Sequence, residues 1–170
     1  MNKKTIYIIV AILAVVIVAV AAAALLMNND GTSEPTPTPE PQSVADATSI
    51  QFVATDNTND LVYDCAVRNI NEVNEDVRLD MTVEGEVYSY IIKLEDSTSF
   101  LSMDSGETWT KTNFAEDSMY LLIVHGFIDE LAENWDGQAT TFSYTADDTD
   151  YVISNIKVNP TLEDSLFATS

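Results

Sequence analysis

Few side chains in this sequence could perform acid–base or nucleophilic chemistry. His125 is the only histidine and Cys65 the only cysteine, so one chain cannot assemble a cysteine–histidine zinc site or nucleophile pair. His125 lies between Val124 and Gly126 in a segment with helical spacing, which predicts a partly buried structural residue rather than a base or a ligand. Cys65 cannot form an intrachain disulfide, and we expect a small buried side chain. We therefore predict no catalytic residue and expect that the protein is not an enzyme.

Carboxylates are the other candidate ligands. Asp56 to Asp60 resembles a calcium loop faintly, but it lacks the glycine and the distal bidentate glutamate that such a loop needs. Asp147, Asp148 and Asp150 also favour a solvated turn over a calcium site. We predict no metal site and no cofactor.

The charge of the chain restricts its partners. There are 28 acidic and seven basic residues, and only Asp30, Glu34 and Glu40 of the acidic ones precede residue 44. Such a surface repels nucleic acid and anionic lipid headgroups. A solvated acidic surface, as in a cell that lives at elevated salt, and specific cation binding both fit this composition.

The amino-terminal part predicts a membrane anchor. Residues 6–27 carry no charge, and as a helix they would span about 33 Å, enough for a hydrocarbon core of about 30 Å. Lys3 and Lys4 precede them and the next basic residue is Arg68, so residues 1–5 should be cytoplasmic. The alternative is a cleaved signal peptide, whose apolar region is usually shorter. We expect a single-pass protein of the cell membrane with its carboxyl-terminal part outside.

Residues 28–43 have the composition of a stalk. Four prolines, from Pro35 to Pro41, alternate there with Thr and Glu. Proline fixes φ and removes an amide donor, so we expect an extended polyproline II segment that holds the following domain away from the bilayer.

Residues 44–170 predict one extracytoplasmic domain that is rich in strands. Apolar side chains alternate with polar ones from Val77 to Glu84 and again from Val87 to Leu94, with Glu84-Gly85-Glu86 as the turn between them. Further strands are expected around Ile50 and Phe52, Leu61–Val67, Phe100–Met103, Glu107–Lys111, Thr140–Tyr144 and Tyr151–Val158.

One long helix interrupts the strands. Tyr120, Val124, Phe127, Leu131 and Trp135 recur at helical spacing. Asn113 with Glu116 forms a candidate capping pair, with Ser118 as an alternative start, and Asp136-Gly137 should end the helix. Gly126 costs about 1 kcal/mol in a helix interior, which close packing against the sheet would explain.

The order of elements predicts an α+β fold. About seven or eight antiparallel strands have only one substantial helix to cover their apolar face, so the sheet should curl around the helix as an incomplete barrel. A curled sheet with a single helix tends to leave an apolar groove. Its candidate lining residues are Tyr63, Leu79, Met81, Tyr88, Tyr90, Ile92, Phe127, Leu131, Trp135, Phe142 and Tyr144; core packing is the alternative role for the aromatic ones.

The end of the chain resembles a known family. The segment from Ile153 to Pro160, followed by Leu162 to Phe167, is similar to the ending of LolA-like and LppX-like proteins, including membrane-anchored archaeal surface domains. The Thr141-Phe142-Ser143-Tyr144-Thr145 strand and the helix ending near Trp135 are similar too. The resemblance implies an incomplete antiparallel barrel around a helix, with an apolar interior that takes acyl or isoprenoid chains. It carries over no ligand-contacting residue.

Two functional hypotheses follow. The first is a membrane-anchored binding module for a lipid or another hydrophobic ligand. The second is a structural or interaction subunit of the cell envelope, with a filled core and a protein partner.

Overall fold

The computed structural model describes residues 42–169, which form an α+β domain. The described residues contain an eight-stranded antiparallel sheet that does not close, one α-helix and a short 3-10 helix. The strands are β1 (Ser49–Asp56), β2 (Leu61–Arg68), β3 (Asp76–Val83), β4 (Glu86–Lys93), β5 (Thr98–Ser102), β6 (Thr110–Lys111), β7 (Thr141–Ala146) and β8 (Thr149–Val158). The helix, α1, runs from Phe114 to Asn134, and the 3-10 helix from Asp164 to Phe167.

The strands lie in the order β6-β5-β4-β3-β2-β1-β8-β7. Consecutive strands form hairpins from β1 to β6, whereas β8 returns after the helix to pair with β1. Asp147 and Asp148 join β7 to β8 with φ of 50° and 62°, which matches the two-residue turn whose twist suits a hairpin. The first and last hairpins are therefore neighbours in one sheet.

The start of α1 agrees with the predicted capping pair. The Asn113 side chain accepts a hydrogen bond from the Ala115 amide at 3.1 Å and donates one to Glu116 at 2.9 Å. These contacts satisfy a donor that the first helical turn leaves without a partner. The helix ends at Asn134, and the Trp135 amide donates to the Leu131 carbonyl.

The main core lies between α1 and one face of the sheet. Val124, Phe127, Ile128 and Leu131 are the buried helical residues. Tyr120 contacts Tyr90 of β4, whereas the Phe127 ring, two turns later, contacts rings of β1, β2 and β8. The helix therefore crosses the strands obliquely, which lets one helix cover more strands than a helix aligned with them.

The other face of the sheet carries a smaller cluster. Phe167 is 1% exposed, and the Arg68 guanidinium lies 4.4 Å from the centre of its ring. Arg78 covers the Trp109 ring in the same way, at 4.8 Å. The carboxyl-terminal tail and two arginines thus cover part of this face through cation–π contacts.

Several sequence predictions can now be compared with the structure. The expected strands are present, but β6 has only two residues because Glu107 and Thr108 belong to the turn that Asp104 organises. Cys65 is fully buried, as predicted. Among the described residues no helix is long and apolar enough to cross a bilayer. The predicted span 6–27 and stalk residues 28–41 lie outside them.

The explanation predicted for Gly126 is wrong. A Cβ built at this position meets no atom within 4 Å, so no close contact with the sheet requires a glycine. The sheet lies on the Val124 and Phe127 side of α1, and Gly126 faces open space instead.

Candidate functional site: an apolar groove beside the helix

An apolar groove separates α1 from the β7–β8 hairpin, and we call it the side groove. Its volume is about 230 Å³. It is lined by Leu122, Ile123, Gly126, Phe127, Glu130, Tyr144, Ala146 and Tyr151. Gly126 widens the groove because it presents no side chain, and Tyr144 and Tyr151 form the opposite wall with stacked rings 5.1 Å apart.

The helix leaves large apolar side chains uncovered beside the side groove. Leu122 is 77% exposed and Met119 is 56% exposed. Helical residues three and four positions apart share a face, so Met119, Leu122, Ile123 and Gly126 form one apolar stripe. An uncovered apolar stripe next to a groove marks an interaction site in many soluble domains.

The charged residue that lines the side groove and the two that follow its wall in sequence are all acidic. Glu130 is the only charged residue among those that line it. Asp147 and Asp148 follow directly after Ala146, and both are exposed. A partner for this site should therefore combine an apolar surface with positive charge.

The structure places all eleven predicted groove residues in or against the main core, and three of them also line a groove. Tyr63, Leu79, Tyr90, Ile92, Phe127 and Leu131 are buried in the main core, and Met81, Tyr88, Trp135, Phe142 and Tyr144 pack against it while partly exposed. Phe127 and Tyr144 line the side groove, and Trp135 lines a second groove.

Burial alters the acidity of the tyrosine hydroxyls near this site. Burial, followed by the nearby Tyr151 and Asp56, raises the pKa of Tyr63 to about 12. Burial likewise raises the pKa of Tyr144 above its ordinary value, with Tyr151 and Glu130 adding to the effect. These hydroxyls stay protonated at neutral pH, so they can donate hydrogen bonds but cannot act as bases.

Asp56 closes β1 beside this tyrosine cluster and is only 2% exposed. Its carboxylate accepts hydrogen bonds from the Thr58 and Asn59 amides and from the Asn59 side chain. Burial raises the pKa of Asp56, but these bonds outweigh it and hold the pKa below its ordinary value. The carboxylate thus stabilises the β1–β2 turn, and the described residues contain no group of side chains suited to a metal ion.

Two further grooves open on the domain surface. One, of about 360 Å³, lies at the end of α1 among Gln42, Trp135, Gly137, Thr140 and Ile156. The other, of about 410 Å³, is formed by Leu101, Met103, Asp104, Thr108, Thr110 and Thr112 around β5 and β6. Hydrogen bonds from Ser102 and Thr108 lower the pKa of Asp104 to about 2, so this groove carries a permanent negative charge.

A hydrogen-bonded pair of Glu75 and His125 links α1 to the β2–β3 connection, and it was not predicted from the sequence. Glu75, in the β2–β3 connection, is 1% exposed. One carboxylate oxygen lies 2.8 Å from His125 Nε2, and the other accepts the Asn71 amide at 2.7 Å. The bond to Glu75 raises the pKa of His125 despite its partial burial. His125 thus connects α1 to the β2–β3 connection.

This pair predicts a dependence of stability on pH. The pKa of His125 is higher in the folded state than its ordinary value of 6.5, so folding favours the protonated form. The stabilisation is complete below about pH 6.5 and is lost as the pH rises through the folded pKa. We expect the stability advantage of the wild type over His125→Gln in urea unfolding to shrink as the pH rises above about 6.5 into the alkaline range. An advantage that stays constant over this range would contradict the prediction.

No protein-family model, no curated protein and no solved structure matches the chain.

Proposed function

We propose that this protein is a membrane-tethered, extracytoplasmic binding module that receives an apolar group of its partner in the side groove. The observation that carries the proposal is the apolar stripe of α1, open at Gly126 and facing the aromatic wall of β7–β8. This apolar stripe lies on a domain that is otherwise strongly acidic. The charge-free residues 6–27 would supply the tether.

The proposal includes a sheet that bends around α1, as in the LolA-like proteins that the sequence resembles. Support comes from the Phe127 ring, which lies within 6.0 Å of ring centres on β1, β2 and β8. When a sheet is concave toward its helix, one helical side chain is expected to contact several adjacent strands. The main core beneath consists of buried, mutually packed side chains, and we place the binding surface on the open flank of α1.

A direct test uses Leu122, whose side chain is 77% exposed. Binding of a neutral solvatochromic dye such as Nile red to residues 42–170 should give a blue-shifted emission. Leu122→Asp should weaken that binding by about tenfold or more, because it places a charge in the apolar side groove. All residues of the main core lie between Val44 and Ile153, which is why this fragment should fold.

The matched control is Met103→Asp, which adds the same charge at a side chain that is 69% exposed in another groove. It should leave dye binding unchanged. An equal loss of dye affinity in the two variants, or no loss of affinity in Leu122→Asp, would refute the side groove as the binding site.

A small hydrophobic ligand such as a lipid is the second candidate, and the groove at the end of α1 favours it. That groove, of about 360 Å³, reaches the range of about 300–1,000 Å³ that small-molecule sites occupy, whereas the side groove does not. Its Trp135 indole donates to the Ala139 carbonyl at 2.9 Å, leaving the ring face as an apolar wall. Mass spectrometry of an organic extract of the purified full chain should then detect a bound lipid.

A further inference from the structure

The strand β7 leaves one edge of the sheet unprotected. It is the last strand in the sheet, so no described strand pairs with its outer side. Its sequence contains no charge, no proline and no glycine, and its register with β8 is regular over all six residues. Proteins usually guard such an edge with charges, prolines, bulges or short strands.

The opposite edge of the same sheet is protected against pairing with another strand. β6 has only two residues, one of which is Lys111, and the chain turns directly from it into α1. The two edges therefore differ in the features that prevent pairing with another chain. An exposed edge on one side only is the arrangement expected of a strand that another chain joins.

The register shows which backbone groups of β7 point outward. Ala146 and Thr149 flank the two-residue turn, so they form a hydrogen-bonded pair, and such pairs then alternate along the hairpin. Tyr144 and Phe142 accordingly bond to β8. The amides and carbonyls of Thr141, Ser143 and Thr145 face away from β8 and remain available to a ninth strand.

The side groove lies beside this edge. Tyr144 and Ala146 of β7 form one of its walls, and Leu122 and Gly126 of α1 form the other. Alternate side chains of an added strand would project toward α1. Edge pairing would thus supply main-chain hydrogen bonds, and the apolar stripe of α1 would contact every second side chain.

We propose that β7 and the side groove together bind an extended peptide segment of a partner protein by strand addition, with apolar residues alternating and basic residues among them. This inference rests on the proposed function and names the class of partner. Glu130 in the groove and Asp147 and Asp148 at its end supply the complementary charge. A second copy of this acidic chain would meet charge repulsion at the same edge.

The test measures fluorescence anisotropy of a labelled nine-residue peptide in which Val or Leu alternates with Thr and Lys stands at both ends. The protein is the full chain in phosphatidylcholine nanodiscs, and empty nanodiscs give the background. Two variants of this peptide are compared, one N-methylated on the odd-numbered residues and the other on the even-numbered residues. Each variant therefore has only one of its two hydrogen-bonding edges blocked. We expect one of them to bind like the parent and the other to bind about tenfold or more weakly.

A protein variant tests the same edge independently. Ser143→Pro removes an outward-facing amide without breaking a β7–β8 bond, and it should weaken binding about tenfold or more. Its control Ser143→Ala changes the side chain but keeps the amide, and it should bind like the wild type.

These outcomes distinguish failure of the strand-addition inference from failure of the proposed function on which it rests. If both N-methylated peptides and Ser143→Pro bind like their parents while Leu122→Asp does not bind, strand addition is wrong and the side groove remains the site. If Leu122→Asp also binds normally, both fail. Self-association that Ser143→Pro abolishes, without any peptide binding, would assign the edge to a second copy and overturn the peptide proposal.

Discussion

Replacing Phe127 by alanine should lower the free energy of unfolding by about 3–5 kcal/mol. The side chain is 3% exposed, and its ring lies 6.0, 5.5 and 5.5 Å from those of Phe52, Tyr63 and Tyr151. Truncation removes a side chain that connects the middle of α1 to three strands, and the close-packed sheet and helix can only partly relax into the space that it leaves. Urea unfolding monitored by circular dichroism gives the value.

The control for this prediction is Met119→Ala on the same helix. Met119 is 56% exposed, so truncation there leaves no cavity, and the unfolding free energy should change by about 0.5 kcal/mol or less. Comparable losses in the two variants would mean that Phe127 is not the centre of the interface between α1 and the sheet.

Replacing Glu75 by alanine should cost about 3 kcal/mol, because the Asn71 amide and His125 each lose an acceptor at about 1–3 kcal/mol. Glu75 is 1% exposed, so water cannot readily replace the carboxylate. The same variant should lose the dependence of stability on pH that His125 confers. Urea unfolding at acid and alkaline pH measures both effects.

Glu75→Gln is the matched control for the charge of this pair. The amide keeps the size and can still accept a hydrogen bond, so this variant should lose less stability than Glu75→Ala. In a double-mutant cycle, adding His125→Gln to Glu75→Ala should cost much less than His125→Gln alone. Independent, additive losses would show that the 2.8 Å contact between the two side chains does not couple them.

Much of the fold follows from local patterns in the sequence. The alternation of apolar residues in Val77–Val83 and Tyr88–Ile92 predicts the central hairpin because side chains in a strand change faces with every residue. The capping pair of Asn113 and Glu116 marks the start of α1 for an equally local reason. These features need no knowledge of distant parts of the chain.

The arrangement of these elements depends on contacts between distant residues. The pairing of β8 with β1 joins residues about 100 positions apart, and no local periodicity encodes that partner. The Glu75–His125 pair is hidden for the same reason, because its residues are separated by 50 positions. Leu122 and Gly126 gave no signal of the side groove, because helical spacing does not say which face the sheet covers.

The candidate site was therefore only partly predictable. The aromatic composition of Phe127, Trp135 and Tyr144 indicated an apolar groove, and these three line grooves in the structure. The other eight predicted residues lie in or against the main core. The unguarded edge at β7 became visible only with the strand order, since a strand's sequence does not reveal whether it lies at an edge.

Photo-crosslinking tests the side groove most directly. The full chain, in phosphatidylcholine nanodiscs, would carry a benzophenone amino acid at position 122 or, as the control, at position 103, where Met103 is 69% exposed in another groove. If a partner segment lies along α1 and β7, the alternating Val/Leu–Thr peptide will crosslink at position 122 and not at position 103. Equal crosslinking at the two positions, or crosslinking at position 103 alone, would contradict a binding site in the side groove.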